Sequence, residues 1–375
     1  MFIENITRIE KKMRPLVSKL LPPALVSFIY SNGRKYAINQ LVNAKFNAVH
    51  LSESANVKLW DISFNCGLFN AAGMFKYGEG YNVSAKIGAG AYLAGTTTML
   101  PRSGNTKSLI KHPFMPYPFS KSSSNWMGLP NPGHSVVAKT LSELQKMPNC
   151  PIGASVAENP EVIDNIERMD GIVDGIKMYE KANVDFIELN FSCPNVPHQT
   201  ANNIKCNGLD KSMVDNLTYI AEKYINHKNK NLPIIVKFSN DIDSVQLLQV
   251  IDLLIDLRYD GINIGNTSTD YATYAQKIIG SDARLYKYFT EKIGGGLSGE
   301  ILKERSLAIC SIAINYLKNK QLQKEFHCIR TGGVSTPEDI SQSKNAGILM
   351  NEWFAGFFEQ FSNYGFQTYS YLFGK

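Results

Sequence analysis

The stretch IELNFSCPN at residues 187–195 holds the most reactive grouping in the chain. Asn190 closes an apolar run, Cys193 follows between a serine and a proline, and Asn195 completes a short polar loop with two carboxamides and one thiol. A lone cysteine is more often an inert buried hydrophobe. On a polar loop at a strand end, however, a thiol whose surroundings lower its pKa from about 8.5 can serve as a general base. A second such place is LPIIVKF, residues 232–238, a strongly apolar run that puts Lys237 at its end. The last inward position of a strand is a costly place for a charge unless an electron-rich ligand receives it.

Other apolar runs end in polar or small residues. LFNAAGMFK (68–76) offers Ala71, Ala72 and Gly73, small enough for a flat ligand to lie against the backbone, and then Lys76. That lysine can meet an anion, although a lysine after a strand is ordinarily just solvated. Gly95 to Thr98 presents hydroxyls and backbone N–H groups, and DGINIGNTST (260–269) ends in Asn266 and Thr267. In NWMGLPN (125–131), turn chemistry accounts for Gly128 and Pro130 but not for Asn125. Two glycine clusters, GGGLSG (294–299) and TGGV (331–334), expose N–H groups of the kind that hold a phosphate.

The elements that must position these residues follow from the hydrophobic rhythm. Short apolar runs at 68–72, 91–96, 151–156, 184–190, 233–237, 260–265, 326–330 and 346–350 alternate with amphipathic stretches such as 159–181, 209–227, 242–257 and 300–319. Strands alternating with helices imply parallel strands joined by crossovers, an α/β fold. About eight such units favour a (β/α)8 TIM barrel, whose active site is built from the loops after the strands, here the long connections 98–133, 191–207 and 266–298. The expected organisation is a barrel domain over 46–375 preceded by a small helical extension over 1–45.

That extension carries apolar residues at helical spacing, among them Ile6, Ile9, Met13, Leu16 and Leu20, with lysines and arginines between them. Pro15 is expected to open a second short helix, Pro22-Pro23 to end the segment, and a further helix to run from after Asn32-Gly33 to about Val42. Two or three short amphipathic helices fit. They serve either as a cap on the main domain or as a membrane-surface element and funnel for a lipophilic substrate.

Composition narrows the class. Over 375 residues, 44% are hydrophobic and 19% charged, which excludes a mainly disordered chain. The net charge of +6, from 39 basic and 33 acidic residues, is too mild to predict nucleic-acid binding. The cysteines Cys66, Cys150, Cys193, Cys206, Cys310 and Cys328 are scattered, so neither a disulfide framework nor a zinc site is expected, and the histidines show no metal-ligand spacing. No run is long and apolar enough for a spanning helix, and the N-terminus does not read as a secretory signal; a cytoplasmic protein, at most peripheral on the inner face of the membrane, is expected.

A phosphate cradle, a lysine facing an electron-rich ring and several carboxamides around one thiol suit a planar, imide-like ligand. Flavin mononucleotide (FMN) doing redox chemistry on a small polar ring fits best. At this point the motifs AAGMFK, NWMGLPN, NFSCPN, the strand ending in Lys237, GNTS, GGLSG and TGGV, in this order from about residue 58 onward, resemble those of the dihydroorotate dehydrogenases.

The resemblance implies a set of roles. Ala72, Gly73, Lys76, Thr96 and Asn190 would contact the flavin, and Lys237 would stabilise charge on the reduced ring. Gly299, Gly332 and Gly333 would hold its phosphate, with the backbone near Phe354 and Ala355. Lys76, Asn125, Met127, Gly128, Leu129, Asn190, Asn195, Asn266 and Thr267 would surround dihydroorotate or orotate, and Cys193 would remove the C5 proton while C6 gives hydride to the flavin. The subclass signals are mixed. A cysteine base is similar to the soluble enzymes that use fumarate or NAD, whereas an N-terminal extension resembles the membrane-docked enzymes that use quinone. A homodimer follows from the first likeness and peripheral membrane contact through 1–45 from the second. The last strand departs from the family pattern at Asn351-Glu352-Trp353, where apolar residues are usual, and Ala355 can offer a phosphate only its N–H. Two other readings stay open: a related FMN barrel acting on another pyrimidine, similar to dihydropyrimidine dehydrogenase, and a flavin-binding protein without catalysis.

Overall fold

The computed structural model describes residues 2–191, 205–206 (backbone), 209–228 and 230–374. Eight parallel strands follow one another: β1 (Leu68–Asn70), β2 (Tyr92–Thr97), β3 (Ile152–Val156), β4 (Phe186–Asn190), β5 (Ile234–Ser239), β6 (Gly261–Asn266), β7 (His327–Thr331) and β8 (Met350–Trp353). Each pairs with its neighbours in sequence from β2 to β8, and β8 returns to pair with β1, setting Glu352 opposite Phe69. Between β1 and β2 a side chain replaces the ladder. Asn70 Nδ2 donates to the Leu93 carbonyl at 2.7 Å, its Oδ1 accepts from the Leu93 N–H at 3.2 Å, and a bridge between Phe75 and Ala94 completes the ring.

The strands are short, rich in branched apolar residues and buried on both faces, as parallel strands covered by helices must be. Helices Asn165–Lys181, Lys211–Lys223, Ser244–Asp256 and Lys303–Leu317 pack outside. Several start at a carboxylate that caps the first turn, as Asp243 does by accepting from Val245 and Gln246 N–H groups at 2.8 and 3.0 Å. Inside the ring, Leu93, Phe186, Ile235, Ile329 and Met350 form one apolar cluster with Trp60 and Phe64 of the hairpin Val57–Leu59/Ile62–Phe64. Trp60 Nε1 donates to the Asp260 carbonyl at 3.0 Å, just ahead of β6, so this hairpin stoppers the N-terminal mouth of the barrel. The opposite mouth is lined by polar residues.

Two sequence expectations are corrected. The last strand is Met350–Trp353 rather than 346–350, because two polar residues inside it, Asn351 and Glu352, break the apolar run that would have marked it. The N-terminal segment forms two long helices, α1 (Phe2–Leu20) and α2 (Pro23–Val42), instead of two or three short ones. Pro15 lies inside α1. An internal proline costs about 3 kcal/mol, and contacts on both sides of it hold the helix together. Ahead of it, Lys11 and Arg14 meet Glu359 at 2.5 and 3.2 Å; beyond it, Arg284 donates to the Ser18 and Leu21 carbonyls at 3.0 and 2.8 Å. Likewise α2 runs through Asn32-Gly33, where Ser31 Oγ accepts from the Phe114 N–H at 3.0 Å and pins the helix to strand Phe114–Tyr117. Pro22-Pro23 does separate the two helices, as expected. No helix among the described residues is long and apolar enough to cross a membrane.

Candidate active site

The C-terminal ends of the eight strands surround a cleft. On one side it is roofed by an antiparallel sheet of Phe114–Tyr117, Ser122–Asn125 and Gly296–Gly299, which brings Asn125, Ser298 and Gly299 to the rim. Ala72, Gly73, Lys76, Thr96, Asn125, Met127, Leu129, Asn190, Lys237, Asn266, Thr267, Gly299, Gly332, Gly333, Phe354 and Ala355 all line it. Gly128 does not; its carbonyl accepts from Arg102 Nε at 3.2 Å, which holds the loop's shape. Cys193 and Asn195 lie outside the described residues.

After β1 the chain turns at Gly73, whose φ is 92°. That left-handed backbone favours glycine, and a Cβ there would make only ordinary contact with the buried Lys76 ammonium, 3.5 Å from Nζ. The NWMGLPN loop is moored at its far end by Asn131, which donates to Thr98 Oγ1 at 3.0 Å and accepts from the Thr98 and Gly133 N–H groups at 3.2 and 2.8 Å. Across the cleft, Asn266 Nδ2 donates to Asn190 Oδ1 at 3.0 Å, and Asn190 Nδ2 donates to Thr96 Oγ1 at 3.2 Å. Three strand ends are thus locked into one polar wall.

Beneath that wall is a buried cluster of charged groups. Lys237 Nζ lies 2.6 Å from Glu352 Oε2 and 3.4 Å from the Glu188 carboxyl group, all three nearly excluded from solvent. Ser155 Oγ and Asn263 Nδ2 also donate to Glu188, at 3.1 and 2.6 Å. Burial alone would pull the Lys237 pKa down, but the two carboxyl groups outweigh it and the lysine is held above its ordinary value. Burial and the neighbouring Glu188 push Glu352 up to about 8, despite the lysine. Sequence reasoning had not singled out Glu188, Ser155 or Asn263. The available signal was period two: Glu188 stands two residues before Asn190 in an otherwise apolar strand, and so shares its inward face.

The glycine loop after β7 makes a third region. Gly333 has φ 73°, and a Cβ there would fall 2.7 Å from the Lys303 backbone nitrogen, so only glycine admits this close approach. Behind the loop the buried guanidinium of Arg330 donates to Ser306 Oγ, Ser343 Oγ and the Lys303 carbonyl, each at 2.9 Å, and among the described residues no carboxylate stands within ion-pair distance of it. Ser306 in turn donates to the Gly332 carbonyl at 2.6 Å. Asn240 Nδ2 ties the ends of β6 and β7 together through the Asn266 and Thr331 carbonyls at 2.9 and 3.1 Å, while its Oδ1 is buried with no partner among the described residues. Open glycine N–H groups backed by a cation suit an anion, and the polar wall beside them suits a ring with donors and acceptors.

A separate apolar cavity of about 370 Å³ runs beneath α1 and α2 and meets the cleft at Phe354 and Ala355. Ile6, Val17, Ile29, Tyr30 and Phe358 are among its walls. Arg34 stands at its inner part, with Nη2 3.5 Å from Met127 Sδ and a buried Nε that has no partner among the described residues.

Comparison with known proteins gives a consistent result. The family profile described as Dihydroorotate dehydrogenase matches residues 54–362. The dihydroorotate dehydrogenase (quinone) of Christiangramia forsetii is 24% identical over 351 residues, 92% of this chain and 93% of the relative. That of Kineococcus radiotolerans is 27% identical over 304 residues, covering 79% and 75%. Among solved structures, DHODH from Eimeria tenella in complex with ferulenol superimposes with a TM-score of 0.73 at 18% identity, over 91% of this chain and 89% of that one, a likeness of fold.

Proposed function

The chain belongs to the dihydroorotate dehydrogenase family, FMN-dependent oxidoreductases that oxidise dihydroorotate in pyrimidine biosynthesis, and from that premise we propose how its own residues divide the work. The observation that carries the reading is the cleft itself, where an amide wall of Asn190 and Asn266, a glycine cradle backed by Arg330, and Lys237 converge at the C-terminal mouth of one barrel.

The residues present fit FMN. Gly299, Gly332 and Gly333 would hold its phosphate through backbone N–H groups, with Arg330 supplying the positive field from below. Thr96, Asn190 and Lys237 would lie along its ring. When bound, FMN supplies a two-electron acceptor for the substrate's C6 hydride. Asn125, Asn190, Asn266 and Thr267 would orient the substrate ring, whose amide and imide edges need both donors and acceptors, and Lys76 would take its carboxylate. Cys193, as thiolate, would remove the C5 proton. A lowered pKa is what that role demands of its loop.

For the electron acceptor, the apolar cavity under α1 and α2 favours a quinone over fumarate or NAD. An apolar path ending at Phe354 and Ala355, beside an Arg34 Nε that has no partner among the described residues, suits a lipophilic ring bearing carbonyl oxygens. Phe2, Ile9, Leu16, Leu20, Leu25 and Phe28 are exposed on these two helices, a surface that would rest on a membrane and let such a molecule enter.

Anaerobic mixing of the flavin-loaded protein with dihydroorotate, followed by separate additions of quinone, NAD and fumarate, tests both parts. Bleaching of the flavin absorbance by dihydroorotate and return of colour with quinone are expected. A loaded protein that does not bleach overturns the substrate, and recovery with fumarate or NAD alone overturns the acceptor. Cys193→Ala should retain flavin and orotate yet fail to bleach; near-normal bleaching in that variant would take the thiol out of the mechanism.

A further inference from the structure

One cation serves two buried carboxyl groups beneath the cleft, and the two are not equivalent. Glu188 receives three donors, Ser155 Oγ at 3.1 Å, Asn263 Nδ2 at 2.6 Å and Lys237 at 3.4 Å. Glu352 receives Lys237 at 2.6 Å, and its other hydroxyl neighbour is Thr331 at 3.1 Å. A hydroxyl carries one hydrogen, and Thr331 has a nearer acceptor in Asn263 Oδ1 at 2.8 Å. Thr331 Oγ is therefore free to accept from Glu352 rather than donate to it. The Glu188 and Glu352 carboxyl groups share the ammonium of Lys237, and two carboxyl groups so placed favour a proton on one of them. With Glu188 supplied by three donors, Glu352 is the carboxyl group on which a proton is gained or lost.

Among the described residues, the charged groups facing Glu352 are Lys237 from β5 and Glu188 from β4. The nearby polar groups of β3, β6 and β7 are the uncharged Ser155, Asn263 and Thr331, and Phe69 is its register partner on β1. Glu352 and Lys237 both line the cleft, so charge arriving there acts on the pair directly.

We propose that Glu352 is a positioning residue that acts through Lys237: it takes up a proton from solvent when negative charge arrives on the flavin, and so keeps the lysine's positive charge available to the cleft. The balance is simple. Hydride from substrate C6 would bring one additional negative charge to the flavin site; where Glu352 is ionised beforehand its carboxylate would take one solvent proton, and it would release that proton when the acceptor withdraws the electrons. The preference of Glu352 for its protonated form, up to about 8, puts this exchange within reach of neutral pH. A glutamine at 352 would fill the same space but remain neutral at every pH.

This rests on FMN occupying the cleft, and flavin uptake is measured first, by quenching of FMN fluorescence; a chain that binds no FMN overturns both the functional reading and this one. The FMN reduction potential is then followed by dye-coupled titration from about pH 6 to about pH 10 in wild type and in Glu352→Gln. The two should agree at the acid end, where Glu352 is protonated in both redox states. They should diverge as pH rises, with the wild-type potential falling more steeply and Glu352→Gln staying higher. Coincident profiles overturn the proposal while leaving dihydroorotate oxidation untouched. If Glu352→Gln does not fold, the wild type alone decides: a slope never steeper than one proton per two electrons overturns it, and a steeper segment that Glu352→Asp displaces along the pH axis supports it.

Discussion

Asn70 closes the barrel by hydrogen-bonding both backbone groups of Leu93, donating to its carbonyl at 2.7 Å and accepting from its N–H at 3.2 Å. Both backbone groups are buried, so a side chain without these functions leaves two orphans, each costing about 1–3 kcal/mol. Asn70→Leu should therefore lower the unfolding free energy by about 2–5 kcal/mol. Asn70→Asp should cost at least as much, because it sets a buried carboxylate oxygen against the Leu93 carbonyl in place of the donor. Urea unfolding followed by tryptophan fluorescence checks this; a loss below 1 kcal/mol, roughly the size of one ordinary hydrogen bond, would mean that the ring closes by other means.

Glu359 fastens α1 to the body of the protein by meeting both Lys11, at 2.5 Å, and Arg14, at 3.2 Å. These pairs are partly exposed, so they supply only part of what holds α1 together across Pro15, the Arg284 bonds supplying more. Their effect should appear in the cavity that α1 covers. Glu359→Gln is expected to raise the KM for quinone by about fivefold and to leave bleaching by dihydroorotate unchanged. Steady-state turnover and anaerobic stopped-flow separate the two readings, and an unchanged quinone KM would show that α1 is seated by its apolar contacts alone.

The sequence made the barrel legible because seven of its eight strands are apolar runs that start within a few residues of where the pattern placed them. The apolar pattern set β8 a few residues early because of the strand's own polarity: Asn351 and Glu352 face surroundings that only the closed ring creates, and no local pattern reports that. The same holds for Glu188, which reads in isolation as one charge in an apolar strand. Its significance comes from Lys237, 49 residues further along the chain, and from Glu352, 115 residues beyond the lysine. Asn190 and Asn266, which end strands, and Lys237, two residues before the end of β5, could be found because the C-terminal parts of the strands map onto one mouth of a barrel. Pro15 misled for the opposite reason: local helix chemistry argued for a break, and contacts to Glu359 and Arg284, distant in sequence, overrode it.

Arg330 bears on phosphate recognition. Its guanidinium is buried against three neutral acceptors behind the Gly332–Gly333 turn, and burial lowers its pKa, so the fold bears a cost that a phosphate at the glycine loop would offset. Arg330→Met should weaken FMN binding by about tenfold or more, equivalent to ~1.4 kcal/mol. Riboflavin, which lacks the phosphate, supplies the control: its affinity should be nearly the same in both proteins. Equal losses for FMN and riboflavin would assign Arg330 to packing rather than to the phosphate.

His134 sets a limit on acid tolerance. Its ring is buried, with Nδ1 2.8 Å from Thr97 Oγ1, which also meets the Tyr179 hydroxyl at 2.6 Å, and burial lowers its pKa from 6.5 to about 4. The unfolded chain protonates this imidazole near its ordinary value and the folded chain resists until about 4, so between those values the unfolded state binds more protons and stability falls as pH falls. At roughly 1.4 kcal/mol per unit, the full effect is about 3 kcal/mol, complete near the lower value. His112, also lowered to about 4 by burial, adds a second contribution of the same sign. His134→Gln should be less stable at neutral pH yet lose less on acidification, and its difference from wild type should shrink between about pH 6.5 and about pH 4. Urea midpoints measured across that interval decide it: parallel acid limbs in the two proteins would place the acid sensitivity elsewhere.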